Sequence, residues 1–329
     1  MVSVLILTKN GERYLPELIS IIHAQRFDGP LEVVAVDSGS EDATLAILRA
    51  HPIRILEITP ESFNHGETRN LAARTAHPDS EYLVYLSQDA LPADDHWLHN
   101  LIRPMEDDLQ VAGTFSRHIA RPGASPSLVR QLTTQWQTGG SQRIVKQMPD
   151  DHAEYEANKG YLTYFSNTSS AIRRSVWDRI PFRELDFAED ADWADRALQV
   201  GHRIVFEPRS VVIHSHDYSI IEQFRQNVDH AYAMTRLFDP PAYRQRWLLL
   251  RQALRLPREV WRDWKFVRRS EDYAGASPSQ QLRWMVRSPL WHLASFMGQW
   301  IGIRSGVLPE NWRVFFGRQE RLKRGIQDR

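Results

Sequence analysis

Cysteine is absent from the 329 residues. Disulfides, thiolate nucleophiles and Cys-ligated metal centres are thereby excluded, and the absence fits a reducing cytosol. No run approaches the roughly 18 consecutive apolar residues that span a bilayer, so no transmembrane segment is expected. The apolar start, Val2 to Leu7, has no basic residues before it and runs straight into Thr8-Lys9-Asn10. It reads as a strand rather than an export signal, and a cytoplasmic location is expected. The chain has no G-x-G-x-x-G fingerprint and no P-loop, which argues against a nicotinamide dehydrogenase or a P-loop kinase. Net charge is zero, from 41 basic and 41 acidic residues, and no nucleic-acid partner is expected. With 42% apolar and 25% charged residues the composition is that of an ordinary globular protein. The length suits about two domains.

The zero net charge conceals an uneven distribution. Residues 240–329 carry 18 Lys and Arg against 7 Asp and Glu, together with seven of the eleven tryptophans. An acidic body of residues 1–239 joined to a basic helical region of residues 240–329 is expected, with Pro240-Pro241 as the junction. In the body, short apolar runs alternate with helical spacing. Strands are expected at Val2–Thr8, Leu31–Val36, Ile53–Ile58 and Tyr82–Leu86, later at Gly113–Ala120 and Tyr164–Arg173, then at Arg203–Phe206 and Ser210–Ile213. Such alternation implies an α/β fold with a mostly parallel central sheet and helices on both faces. Ligands then bind beyond the carboxyl ends of the strands, where Thr8-Lys9-Asn10, Asp37-Ser38 and Gln88-Asp89 fall.

In the basic region, helices are expected with interruptions at Pro257, Gly275–Pro278, Pro289 and Pro309. Arg251, Arg255, Arg258, Arg262, Lys265 and Arg269 advance by three or four, which makes a basic stripe on one helix face. Val260, Trp261, Trp264 and Val267 fall on another. An anionic membrane surface is one partner for such a helix. Tryptophans packed on the body with solvated arginines are the equal alternative.

Several polar residues have two readings. Asp37 ends an apolar strand and can accept a hydrogen bond from a pyrimidine imide or from ribose, with Ser38 and Gly39 allowing a tight turn; it can equally cap the next helix. Arg69 lies in the first turns of a helix opened by Asn64, where an anion is favoured, or it forms an internal ion pair. Asp89 suits a hard divalent cation sharing phosphate oxygens, or simply a turn. Glu189-Asp190-x-Asp192 opens a helix, as caps or as a general base; adjacent helical residues do not face each other, so one of Glu189 and Asp190 reaches a reacting hydroxyl. His214 and His216 point to one side of a strand end, to complete a metal site with Asp89 or as a surface pair.

Together these segments resemble glycosyltransferase family 2, over roughly residues 1–235. The resemblance rests on the Val-Leu-Ile-Leu-Thr-Lys-Asn start, Val36-Asp37-Ser38-Gly39-Ser40, an acid after the fourth strand, Glu189-Asp190 before a helix, and a late histidine. Phe63-Asn64-His65-Gly66-Glu67-Thr68-Arg69-Asn70 and Ser87-Gln88-Asp89-Ala90 look like the rhamnosyltransferase-like branch, in which glycine is common at the position of Glu67. The resemblance implies a Rossmann-like A-type glycosyltransferase fold. It implies that Thr8, Asn10 and Glu12 line the base and ribose pocket, that Asp37 with Ser38 recognises the pyrimidine, and that Arg69 approaches the diphosphate. Asp89 is the only acid of the family's Asp-x-Asp, with Gln88 standing near the sugar or nucleoside. Asp190 matches the catalytic base, with Glu189 its neighbour. His214 matches the third metal position for Mg²⁺ or Mn²⁺, since it precedes Ser219 by the family's interval, and His216 is the fallback.

The expected activity is inverting, metal-assisted transfer of a sugar, rhamnose from dTDP-rhamnose, from a nucleotide-diphospho-sugar to a glycan or lipid-linked glycan at the cytoplasmic membrane face. A UDP-hexose-dependent member of the family, and a non-catalytic membrane-surface scaffold, are the rivals. A nucleotidyltransferase is disfavoured because the turn Thr8–Arg13 is poor in glycine.

Overall fold

Apolar runs bounded by turn residues become strands, and apolar spacings of three and four become helices. This holds over the residues that the computed structural model describes, 1–134, 139–185, 187–238, 247–305 and 315–317. In chain order come β1 (Val2–Thr8), α1 (Leu15–His23), β2 (Leu31–Asp37), α2 (Thr44–Arg49), β3 (Ile53–Glu57), α3 (His65–Thr75), β4 (Tyr82–Ser87), β5 (Leu91–Pro92) and α4 (Trp97–Asp107). There follow β6 (Val111–Ile119), α5 (Pro126–Thr134), β7 (Ile144–Lys146), α6 (His152–Leu162), β8 (Ser169–Arg173), α7 (Arg174–Trp177), α8 (Glu189–Gln199) and β9 (Arg203–Ile213). Three long helices complete the order: α9 (Ile220–Phe238), α10 (Leu248–Arg269) and α11 (Pro278–Arg304).

Among the described residues the strands form one sheet in the order β3-β2-β1-β4-β8-β6-β9-β5, with β7 paired to β9. β3, β2, β1 and β4 run parallel, with Thr8 opposite Asp37 and Leu7 opposite Ser87. β8 reverses direction between β4 and β6, and β6 and β9 are again parallel. The two-residue period of β1 divides the core. Val4 and Ile6 pack with α1 and α4 on one face, while Leu5 joins Val34, Val36, Ala72 of α3 and Trp193 of α8 on the other. This is the expected α/β fold with helices on both faces.

The differences have physical causes. The strand expected at Tyr164–Arg173 is shorter, because residues 164–168 carry Ser166, Asn167 and Thr168 and form a loop. The pieces expected at Arg203–Phe206 and Ser210–Ile213 are one strand, whose register with β6 shifts between Ser116 and Arg117. The interruptions expected at Pro257 and Pro289 do not occur, as α10 and α11 run through both. An interior proline costs a helix roughly 3 kcal/mol, and the packed inner faces of these helices offset it. Pro240-Pro241 and Pro309 lie outside the described residues.

The chain divides into two compact units, Met1–Arg121 with Leu132–His214, and Pro122–Gln131 with Ser215–Arg329. The division therefore falls at His214 and Ser215 rather than at residue 239. In the second unit Asp263, 1% exposed, explains why the start of α5 belongs with the C-terminal helices. Its carboxylate accepts from Ser127 Oγ at 2.6 Å, Ser288 Oγ at 2.7 Å and His292 Nε2 at 3.0 Å, and pairs with Arg130. Burial alone would raise this carboxyl; the donors and the Arg130 charge outweigh burial and hold it at about 2.

α9 and α11 touch backbone to backbone. A Cβ added at Gly298 would lie 2.3 Å from Phe224 O, and one at Gly302 would lie 2.3 Å from Val228 O. Gly→Ala inside a helix ordinarily stabilises by about 1 kcal/mol. Here the sign reverses: Gly302→Ala is expected to destabilise by about 1–3 kcal/mol, read by urea unfolding. A gain in stability would contradict this packing.

Candidate active site

The carboxyl ends of β1 and β2 are laced together by short polar side chains. Asp37 is fully buried, and its Oδ1 accepts from the backbone N–H of Gly39 at 3.0 Å and Ser40 at 2.8 Å. Its Oδ2 accepts from Thr8 Oγ1 at 2.9 Å and Ser40 Oγ at 2.6 Å. A carboxylate has about four lone-pair sites, so in this conformation Asp37 shapes the loop rather than facing a base. Ser38 Oγ donates to Thr8 O at 3.0 Å. Asn10 Oδ1 accepts from Glu41 N at 2.9 Å, and Glu12 Oε2 from Ala43 N at 3.0 Å. Gln88, just past β4, clasps the Lys9 backbone at both ends, accepting at 3.0 Å and donating at 2.9 Å. Thr8, Asn10, Glu12, Asp37, Ser38 and Gln88 thus lie together at the ends of β1, β2 and β4, where their side chains bond to one another and to the loops.

Asn64 caps α3, its Oδ1 accepting from Glu67 N at 3.1 Å. The reciprocal half of a capping box is missing, because Glu67 turns toward Asn70 and Arg74. Gly66 is required where it stands: a Cβ there would fall 1.9 Å from Arg183 O. This close approach seats the start of α3 against the segment leading into α8.

Arg69 takes the internal pairing. Its Nη1 lies 2.7 Å from Glu189 Oε1, with the side chains only 12% and 6% exposed. The same nitrogen donates to His65 O at 3.3 Å. Beside this pair sits Asp190, whose Oδ1 accepts from Ala191 N at 2.8 Å and Oδ2 from Asn167 N at 3.3 Å. Burial, and next the Glu189 charge, push the Asp190 carboxyl up to about 7, opposed by Arg69 and by the two backbone donors. The two adjacent acids therefore differ: one is locked in an ion pair, and the other is pushed toward its protonated form by burial and by its neighbour.

Asn167 was missed by the sequence reading. Its side-chain amide donates to Glu189 Oε1 at 3.2 Å while its backbone holds Asp190, and Ser170 Oγ fixes its orientation at 2.8 Å. The polar pair Asn167-Thr168 directly before the buried strand β8 was the available signal. The adjacent Thr168 O accepts from Ser87 N at 2.9 Å, which ties this loop to the end of β4. Asp89 leaves that same end, and its Oδ1 lies 3.6 Å from His214 Nε2. The loop that holds Asp190 is thus tied to the end of the strand that leads into Asp89.

Around that pair are two further residues the sequence reading missed. His118, on β6, lies with its ring 5.8 Å from that of His214 and is held neutral, its pKa pushed down to about 3 by burial and by His214. The Arg121 guanidinium donates to Asp89 O and stacks 4.3 Å from the Tyr14 ring. His216 falls in the second unit, its ring stacked on Tyr218. A carboxylate oxygen and an imidazole nitrogen at this separation suit one hard divalent cation that also takes diphosphate oxygens.

The family described as Glycosyl transferase family 2 matches residues 3–180. The chain belongs to that family. It is 32% identical over 232 residues to the O-antigen chain rhamnosyltransferase RfbN of Salmonella typhimurium, covering 69% of this chain and 70% of the relative. WbaN of Salmonella anatum, also an O-antigen chain rhamnosyltransferase, is 31% identical, covering 61% of each chain. A mannosyltransferase from Pyrobaculum calidifontis, solved with GDP-mannose and Mn²⁺, shares the fold with a TM-score of 0.55 and 20% identity, covering 93% of this chain and 86% of its own. Staphylococcus aureus TarS 1-349 with UDP-GlcNAc gives 0.53 at 15% identity, covering 93% and 91%. The A-type glycosyltransferase fold is thereby established.

In this family 2 glycosyltransferase the ionised form of Asp190 is the one able to accept a proton, so activity is expected to rise with pH through neutrality. Removing the neighbouring charge in Glu189→Gln should move that limb to lower pH. Removing the cation in Arg69→Met should move it higher. A pH–rate profile that neither substitution shifts would contradict the assignment.

Proposed function

We propose that the protein transfers rhamnose from dTDP-rhamnose to a hydroxyl of a glycan or lipid-linked glycan in surface polysaccharide assembly, inverting the anomeric centre. The observation that supports this reading is the polar loop at Asn167-Thr168, which bonds both to Asp190 and to the end of β4, the strand that leads into Asp89 of the Asp89–His214 pair. The acceptor oxygen attacks the anomeric carbon as the bond to the diphosphate breaks, and Asp190 takes the hydroxyl proton. Asn167 and the Ala191 N–H hold the Asp190 carboxylate in place. Glu189, fixed by Arg69, is the neighbour whose carboxylate raises Asp190. Asp89 and His214 would hold Mg²⁺ or Mn²⁺, which when bound neutralises charge on the leaving diphosphate. Displacement in one step accounts for inversion.

On the nucleotide side, Thr8, Asn10, Glu12 and Asp37 with Ser38 shape the base and ribose pocket through the loops they lace, and Gln88 sets its floor. Arg69 acts on the acids rather than directly on the diphosphate. The rhamnosyltransferase relatives support the donor, and a lipid-linked acceptor would bring the protein to the cytoplasmic face of a membrane. A UDP-hexose donor is the second reading, favoured by the UDP-GlcNAc complex of a protein of the same fold.

A panel of dTDP- and UDP-sugars decides between them. Turnover is expected from dTDP-rhamnose, and turnover only from UDP-hexoses would defeat the donor assignment. Asp190→Asn should lower the rate by about 10²–10⁴ with little change in donor KM.

A further inference from the structure

The second unit carries an exposed apolar surface on α10 and α11 that includes none of the residues assigned to the transfer reaction. On α10 and its cap, Trp247, Leu250, Leu254 and Trp261 recur at three, four and seven residues, which puts them on one face. On α11, Leu282, Val286, Leu290, Leu293 and Met297 recur at three and four. All nine are between 44% and 73% exposed. Scattered exposed apolar residues are ordinary, whereas two continuous helical stripes are not.

α10 and α11 bury one face against each other, and α11 buries a second against α9 through Gly298 and Gly302. Gln252 and Gln299 are joined by side-chain hydrogen bond, Trp264 Nε1 donates to Met285 O at 3.3 Å, and Asp263 binds Ser288 and His292. These pairings make α10 and α11 antiparallel, so the apolar stripes are the faces left over. Beside the α10 stripe, Arg251, Arg255, Arg258 and Arg262 are all exposed, and Lys265 lies 4.8 Å over the Trp261 ring. α11 contains no Asp or Glu. The two acids of α10 are engaged, Glu259 with Arg130 and Arg262, and Asp263 in its buried cluster. Among the described residues no helix is long and apolar enough to cross a membrane.

We infer that α10 and α11 form an in-plane docking face for an anionic phospholipid bilayer. The leucines and tryptophans enter the boundary between headgroups and acyl chains, and the arginines reach lipid phosphates by extending along the interface. A second copy of the chain is the less suited occupant: a two-fold contact through this face would bring the rows of arginine together without acids to meet them. The face goes beyond the sugar chemistry proposed above and rests on none of its residues.

The test is flotation of the full chain with phosphatidylcholine vesicles, with and without phosphatidylglycerol. Two variants accompany it, Leu254→Ser/Leu290→Ser/Leu293→Ser and Arg251→Gln/Arg255→Gln/Arg258→Gln. The wild type is expected to bind only the anionic vesicles, and each triple variant to bind roughly tenfold more weakly or worse. Brominated lipid should quench wild-type fluorescence more than that of Trp261→Phe, a readout that needs no triple variant to fold. Turnover of the nucleotide-sugar with a soluble acceptor, unchanged in both triples, separates lost docking from lost folding. Failed turnover with intact vesicle binding counts against the proposed transfer and leaves the docking face standing. Equal binding to neutral vesicles, undiminished binding by the leucine triple, or a wild-type dimer that the leucine triple dissociates would each overturn it.

Discussion

The ion pair of Arg69 and Glu189 is the interaction on which the site depends. It joins α3 to the first turn of α8, and both partners are nearly excluded from water. Breaking such a pair by removing one partner typically costs about 3–5 kcal/mol, because a buried charge is left uncompensated. Its consequence for chemistry is a division between neighbours. Glu189 is fixed by the cation and by Asn167, while Asp190 bears the repulsion and burial that bring its charge change toward neutrality. Two adjacent acids on a helix thereby acquire different duties, one electrostatic and one suited to proton transfer.

A second constraint is that the strand ends are built from side chains that would otherwise be read as ligands. Asp37 gathers four donors and closes the turn in which Gly39 adopts a positive φ of 80°. Gln88 binds the β1 loop to β4. The loops at these strand ends therefore owe their shape to the same residues that family resemblance assigns to nucleotide recognition.

The strands and the order of site segments were legible because they rest on local signals: apolar runs of five to nine residues and polar clusters directly after them. The Arg69–Glu189 contact was visible only as one of two options, since 120 residues separate its partners and no spacing rule connects them. Asn167 and His118 went unseen for a related reason. Each is defined by what packs across the sheet, not by its sequence neighbours. The helices through Pro257 and Pro289 show the reverse failure, in which a valid local rule yields to tertiary packing. The outward stripe of α11 was masked by the same expected break: only an unbroken helix places Leu282 and Met297 on one face.

An infrared titration of the carboxylate bands, wild type minus Asp190→Asn, measures the state of the Asp190 carboxyl group directly. One aspartate titrating near neutrality is expected, present in the wild type and missing from the variant. A difference spectrum in which Asp190 is fully ionised already at ordinary carboxylate pH, near 4, would contradict it.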